Sequence, residues 1–454
     1  MTICHQWFEA GLPHIWLPYT QMKIAPKPQA VAATEGCRIK LADGRELVDG
    51  IASWWSACHG YNHPHILAAM KEQLETMPHV MFGGLVHAPA LSLAKRLAAM
   101  TGLPRVFFAD SGSVAVEIAL KMALQYWRIK AKPNKDRFLC FRDGYHGDTL
   151  GAMSVSDPQR SLHKAFQNSV IKQYVVDIPS DEYGFAELDG LLAGVAGNLA
   201  GMIIEPLVQG AGGMRFYSAD TLAELHRLAK KHGLLFIADE IATGFFRTGS
   251  RFACFDAGIA PDIMCLGKAL TGGAINLGAA LASEEIYSAF LSDKFDDAFM
   301  HGPTYMANPL ACVAANASLD LFDNPSLRAP AKQSMQEKPL RGSVNLDRHV
   351  ADAPRDDVNR WENIIERIEQ QLTDELAACE GLAGVVDVRV KGAIGVVQIE
   401  PSRMDYYGLR EKFIARGCWI RPFKDIIYLA PSFTISSDEL SQLTGAIRDV
   451  TAQL

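Results

Sequence analysis

A chain of 454 residues, 49% hydrophobic and 21% charged, has material for two or three packed units without disulfide or metal staples. Its formal charge of −7, from 44 basic against 51 acidic residues, argues against nucleic acid or an anionic membrane as the main partner. Nine cysteines stand singly with no C-x-x-C pair, no signal-like stretch opens the chain, and no run nears the ~20 apolar residues of a membrane span, so a reduced, cytoplasmic setting is expected.

In chain order, the first expected elements are strands at 37–41 and 46–48, turned by Ala42-Asp43-Gly44. From about residue 106 to 281 one theme repeats: a short apolar run, a Gly- or Asp-bearing turn, then usually a helical pattern. The runs are 105–109, 138–141, 202–205, 234–238, 263–266 and 278–282, with helices at 114–127 and 219–232 between them. This alternation predicts an α/β domain with a mainly parallel, mixed sheet covered on both faces. Such sheets bind ligands beyond the carboxyl ends of their strands, so polar residues just after a run are the candidates.

Residues 324–360 hold four prolines, many charges and no clean period, and read as a flexible surface insertion. Beyond them, strands are expected at 385–390 and 395–399 around Lys391-Gly392-Ala393, and a second hairpin at 418–421 and 426–430 around Pro422-Phe423-Lys424-Asp425. Helices at 407–416 and 438–453 complete a smaller α+β unit. The expected division is an arm and strand pair at 1–57 belonging with the small domain, a large domain at 58–320, and a C-terminal small domain at 321–454.

Three strand ends carry chemistry. Asp110-Ser111-Gly112-Ser113 follows one run and opens a helix, where free N–H groups, hydroxyls and the dipole suit a phosphate; Ser and Asp are equally common as plain N-caps. Asp239 and Glu240 end the apolar run from Leu234, where a carboxylate needs a partner: a protonated ring nitrogen, a metal or a structural ion pair. Lys268 follows Gly267 at the end of a third run, amid the small residues Ala269, Gly272 and Gly273, and is either a solvated amine or a Schiff-base nucleophile. Together they match the three handles of pyridoxal phosphate: phosphate, ring nitrogen and aldehyde.

The segment from Leu235 to Gly249, with Pro261-Asp262-Ile263 and Leu266-Gly267-Lys268, resembles the signature of the class III pyridoxal-phosphate-dependent aminotransferases. Ser53-Trp54-Trp55, Gly60-Tyr61-Asn62-His63-Pro64, His79-Val80-Met81-Phe82-Gly83-Gly84, Gly144-Tyr145-His146-Gly147-Asp148-Thr149 and Met300-His301-Gly302-Pro303-Thr304 extend the resemblance to the family's biotin-pathway branch, from about His14 to the C-terminus apart from the insertion. The resemblance implies a fold-type-I transferase acting as a homodimer, taking the amino group of S-adenosylmethionine and passing it to 8-amino-7-oxononanoate. A related enzyme using lysine or an ω-amino acid, and a binding protein that keeps the fold without catalysis, are the alternatives.

The resemblance also implies roles. Lys268 holds the cofactor and shuttles the proton, Asp239 keeps the ring nitrogen protonated, Gly112 and Ser113 bind the phosphate, and Tyr145 stacks on the ring. Pro303 and Thr304 complete the phosphate site from the neighbouring subunit. Tyr19, Trp54, Tyr145, Lys268, Gly302 and Arg421 meet the substrates, Arg421 as a bidentate fork for a carboxylate, and Asp148 supports the site. One departure stands out: Phe246 occupies a position where the family usually has Gly, and its ring would reshape the turn before Arg247 or narrow the approach. Two other patterns fail. Arg215 takes the third-Gly position of a dinucleotide fingerprint at Gly210-Ala211-Gly212-Gly213. Gly60 and Pro64 keep His59, His63 and His65 off one helix face, so no metal site is expected.

Overall fold

The computed structural model describes residues 6–158, 163–324, 327 and 355–454, with 355–360 described by their backbone. Two compact units result: Met1–His63 with Ile365–Leu454, and Pro64–Ile364. The larger unit is built on strands β1 (Arg105–Ala109), β2 (Arg137–Phe141), β3 (Tyr174–Val176), β4 (Leu199–Ile204), β5 (Leu235–Asp239), β6 (Ile263–Leu266) and β7 (Gly278–Ala282). They form one seven-stranded sheet in the order β1-β7-β6-β5-β4-β2-β3. Only β7 runs against its neighbours; the β2–β3, β2–β4, β4–β5 and β5–β6 pairs are parallel. Every residue of β4, β5, β6 and β7 is buried, which is why these strands read as continuous apolar runs. The edge strand β3 has three half-buried residues, too short to show a period.

Helix α1 (Gly112–Ile129) covers the middle of this sheet. Its buried residues, from Ala115 and Val116 through Ile118, Ala119 and Met122 to Tyr126 and Trp127, pack with Ile237, Ile263, Cys265 and Ala280. Each fully buried large side chain there contributes roughly 1.5–3 kcal/mol. The Trp127 indole donates to the Ala200 carbonyl at 2.7 Å, giving its N–H a partner inside the core. This packing fixes the helix N-terminus at the carboxyl edge of the sheet.

Among the described residues, the smaller unit holds two sheets. Val31–Glu35, Arg38–Leu41 and Glu46–Asp49 pair antiparallel in sequence, and Val385–Lys391, Ile394–Ile399 and Ile426–Leu429 form the other sheet. The expected hairpin of 418–421 with 426–430 does not form. Cys418–Trp419 pairs in parallel with Val48 and Asp49, while Ile426–Leu429 pairs with residues 395–398. Only an isolated Phe423–Ile426 bridge links the two segments. Pro422 has no N–H for a ladder, so each flank finds its partner elsewhere.

Helix Tyr406–Ile414 and helix Ser437–Thr451 complete this unit, the latter started by a capping box of Ser436 and Glu439. The helix Arg355–Leu376 was not expected. Trp361, Ile365, Ile368, Leu372 and Leu376 are all buried, one apolar stripe at helical spacing. Its first turns take residues 355–360 of the supposed insertion; residues 325–354, except Leu327, lie outside the described residues.

Candidate active site

The carboxyl edge of the large sheet gathers the chemistry. At the end of β6, Gly267 is extended and Lys268 takes a left-handed backbone with φ of 43°, opening the turn Lys268–Thr271. A non-glycine residue held there costs about 1–2 kcal/mol, and such strain persists only where the surroundings enforce it. Burial lowers the pKa of the Lys268 amine below the ordinary lysine range. The positive charge of Arg247 lowers it further, while Asp239 and Glu205 act in the opposite sense. The amine is therefore biased toward its neutral, nucleophilic form.

Asp239 ends β5, whose register places it opposite Cys265 of β6. It is 3% exposed. One carboxylate oxygen accepts from the Ile241 N–H at 3.1 Å and the other bonds His146 Nδ1 at 2.7 Å. Burial opposes a charge on His146, but the hydrogen bond to Asp239 and the charges of Asp239 and Glu205 lift its pKa above the ordinary histidine value. Glu205, just past β4, is pushed up to about 7 by burial. Its two oxygens accept the N–H groups of Tyr145 and Gly210, both at 2.9 Å. Neither His146 nor Glu205 was singled out in the sequence. The rule that exposed Asp239, a polar residue at the end of an apolar run, fits Glu205, which directly follows Ile204, but not His146, five residues past Phe141.

The candidate anion cradle is the start of α1. Ser111 is the N-cap, its hydroxyl accepting from the Val114 N–H, so Gly112 and Ser113 occupy the first helical turn, whose N–H groups have no intrahelical acceptor. A Cβ on Gly112 would stand 3.0 Å from the Ile241 side chain, and one on Gly267 would stand 3.5 Å from Gly112 Cα. The cradle thus abuts the strand end that carries Lys268. A Cβ on Gly278 would lie 2.4 Å from the Ser111 carbonyl, so only glycine lets β7 come this close.

The segment after β2 joins these parts. The Tyr145 backbone is tied to Glu205, His146 to Asp239, and the Asp148 N–H donates to Ser113 Oγ at 3.2 Å. Gly147 between them presses on Ser113 with φ of 122°, a place where any side chain would collide. Half-buried Tyr145 also donates its hydroxyl to Asp148 at 2.9 Å. Gly302, Pro303 and Thr304 lie instead on a surface loop, with Gly302 and Thr304 exposed.

Phe246 does not line an approach. Fully buried at φ of 69°, it stacks on Trp361 at 5.9 Å and lies 5.7 Å from the Phe322 ring, inside the packing of the larger unit. The next residue, Arg247, is 1% exposed.

The smaller unit gathers Tyr19, Trp54 and Arg421. The Tyr19 and Trp54 rings meet edge to face at 6.3 Å, and the Arg421 guanidinium sits 4.8 Å from the Trp54 ring centroid. Trp54 rides on an unusual support: Ala52, Ser53, Trp54 and Trp55 all have positive φ, from 44° to 73°. Asp49 anchors that left-handed turn, accepting from the N–H groups of Ile51 and Ser53 at 2.9 Å and from the Tyr61 hydroxyl at 2.6 Å.

A buried amine with a lowered pKa, a buried carboxylate braced by histidine and a helix start with free N–H groups suit an aldehyde cofactor bearing a phosphate and a basic ring nitrogen. The residues present fit pyridoxal phosphate. Residues 20–343 match the family Aminotransferase class-III. The chain is 40% identical to the adenosylmethionine-8-amino-7-oxononanoate aminotransferase of Buchnera aphidicola subsp. Acyrthosiphon pisum (strain APS), over 96% of this chain and 95% of the relative. It superposes with a TM-score of 0.86 on the adenosylmethionine-8-amino-7-oxononanoate aminotransferase of Methanocaldococcus jannaschii DSM 2661, at 30% identity and 98% coverage of both chains. An amine transaminase from an uncultivated Pseudomonas species, solved in its PLP-bound form, gives 0.83 at 29% identity, covering 97% of this chain and 98% of that one. This chain belongs to the class III aminotransferases, and its cofactor is pyridoxal phosphate.

Proposed function

We propose that this enzyme transfers the amino group of S-adenosylmethionine to the ketone of 8-amino-7-oxononanoate, giving 7,8-diaminononanoate for biotin synthesis in a ping-pong exchange. The observation that carries the reading is the Tyr19–Trp54–Arg421 cluster. Two flat rings suit an adenine-bearing donor and a long aliphatic acceptor, and a guanidinium suits the carboxylate each of them carries. The full-length similarity to aminotransferases named for these substrates supports it.

Bound pyridoxal phosphate supplies an electrophilic carbon and a ring that accepts an electron pair. The chain does the rest. The Lys268 amine holds the cofactor and, once displaced by substrate, moves the proton at the amine-bearing carbon. Asp239 keeps the proton on the ring nitrogen, with His146 orienting its carboxylate and Glu205 behind. The N–H groups of Gly112 and Ser113 hold the phosphate, and Tyr145 lies against the ring. Gly302, Pro303 and Thr304 act across a homodimer: Gly302 toward substrate, Pro303 and Thr304 at the partner's phosphate site. An exposed apolar surface supports that assembly. Met81, Leu85, Val86, Met300 and Tyr305 are all more than half exposed, on two loops joined by a His79–Tyr305 ring contact at 4.6 Å. Among the described residues, eight free, buried cysteines support a cytoplasmic setting.

The test is a half-reaction on purified holoenzyme. Adding S-adenosylmethionine should bleach the visible cofactor band while lysine leaves it unchanged. Bleaching by lysine or an ω-amino acid but not by S-adenosylmethionine would overturn the donor assignment.

A further inference from the structure

We propose that His163 is a positioning residue of this enzyme, holding the Tyr145 ring through a hydrogen bond to Asp148 and a stacking contact. The proposal rests on the reading above that Tyr145 faces the cofactor site.

Asp148 Oδ1 takes two partners at once, the Tyr145 hydroxyl at 2.9 Å and His163 Nε2 at 2.7 Å. The Tyr145 and His163 rings stack with centroids 5.5 Å apart and planes 23° from parallel. The two contacts are complementary. The hydroxyl bond fixes where the end of the phenol lies, and the stack fixes how the ring is rotated about that line.

The burial of the three groups sets the direction of control. Asp148 is an exposed carboxylate, so its bond to Tyr145 alone would compete with water. His163 is 7% exposed, and its backbone heads the short turn Lys164–Phe166, with its carbonyl accepting from the Phe166 N–H at 2.8 Å. It is the fixed wall, and Tyr145 is the part that would otherwise move. His163 takes one face of the Tyr145 ring, so a flat ligand meets the other. Because the Asp148 N–H also reaches Ser113 Oγ, a shift of Asp148 is felt at the phosphate cradle as well as at the ring.

Three substitutions separate the contacts. His163→Gln keeps a donor for Asp148 and loses the stack, His163→Phe keeps the stack and loses the donor, and His163→Ala loses both. For His163→Ala, kcat/KM for the amino donor should fall roughly tenfold to a hundredfold, the range for losing a hydrogen bond to a charged group. Circular dichroism of the bound cofactor should weaken in parallel, and the Gln and Phe variants should each recover part of both signals. A wild-type cofactor dichroism and kcat/KM per folded holoenzyme in His163→Ala, with only a lower melting temperature, would mean a purely structural role and overturn the proposal. Lys268→Ala in the same series should lose the covalent cofactor band. If it keeps the band, the site reading itself fails, and the role of His163 fails with it.

Discussion

In the proposed role, Lys268 has to act as a nucleophile at a pH where a free lysine is almost wholly protonated. Burial supplies most of the bias toward the neutral amine, and the nearby charge of Arg247 adds to it. Removing that charge should raise the amine's pKa. For Arg247→Gln, the rate at which apoprotein forms the covalent cofactor band should therefore reach its plateau at higher pH than in wild type. A profile that stays put would show that the Arg247 charge does not tune the amine. At this scale the sequence exposed Lys268 and Asp239, because each stands directly after an apolar run. It hid the brace behind Asp239: His146 lies 93 residues away in the chain, and nothing local marks the pairing.

Among the elements, the aromatic packing around Phe246 sets two terms against each other. Its ring is fully buried against Phe322 and Trp361, and its backbone is left-handed. Phe246→Ala should lose about 3–5 kcal/mol of stability. Phe246→Gly should lose about 1 kcal/mol less, since glycine accepts that φ freely. Urea unfolding of the two variants would check the order; a glycine variant no more stable than the alanine one would show that the backbone is not strained there. The same packing explains why residues before Trp361 were misread. The stripe that makes Arg355–Leu376 a helix begins at Trp361, and its hydrophobic partners are invisible from a charged flank. The missing hairpin at 418–430 has a similar origin. Residues 422–425 do carry a turn, but partner choice is a tertiary matter, decided by Val48 and Asp49 far along the chain.

For the whole molecule, most of the large sheet was legible because its central strands are buried on both faces and their sequence is apolar throughout. The antiparallel direction of β7 was not, since direction leaves no trace in composition. Assembly is testable by complementation. If Thr304 serves the partner's site, Lys268→Ala and Thr304→Asp are each inactive alone. An equal mixture unfolded and refolded together should then regain about a quarter of wild-type activity, because about half the dimers are hybrids and each hybrid carries one intact site of two. Hybrids that form and stay inactive would place both residues in the same subunit's site.

The turn Ala52–Trp55 has an evolutionary side. Four consecutive residues held in a left-handed backbone make this segment one where a glycine or asparagine in place of Ser53 would relieve strain. The same replacement would loosen the support under Trp54, the ring proposed above to meet the substrates. Selection for heat resistance and selection for turnover therefore pull in opposite directions here, and a library screened for thermal survival alone would drift toward sturdier, slower enzymes.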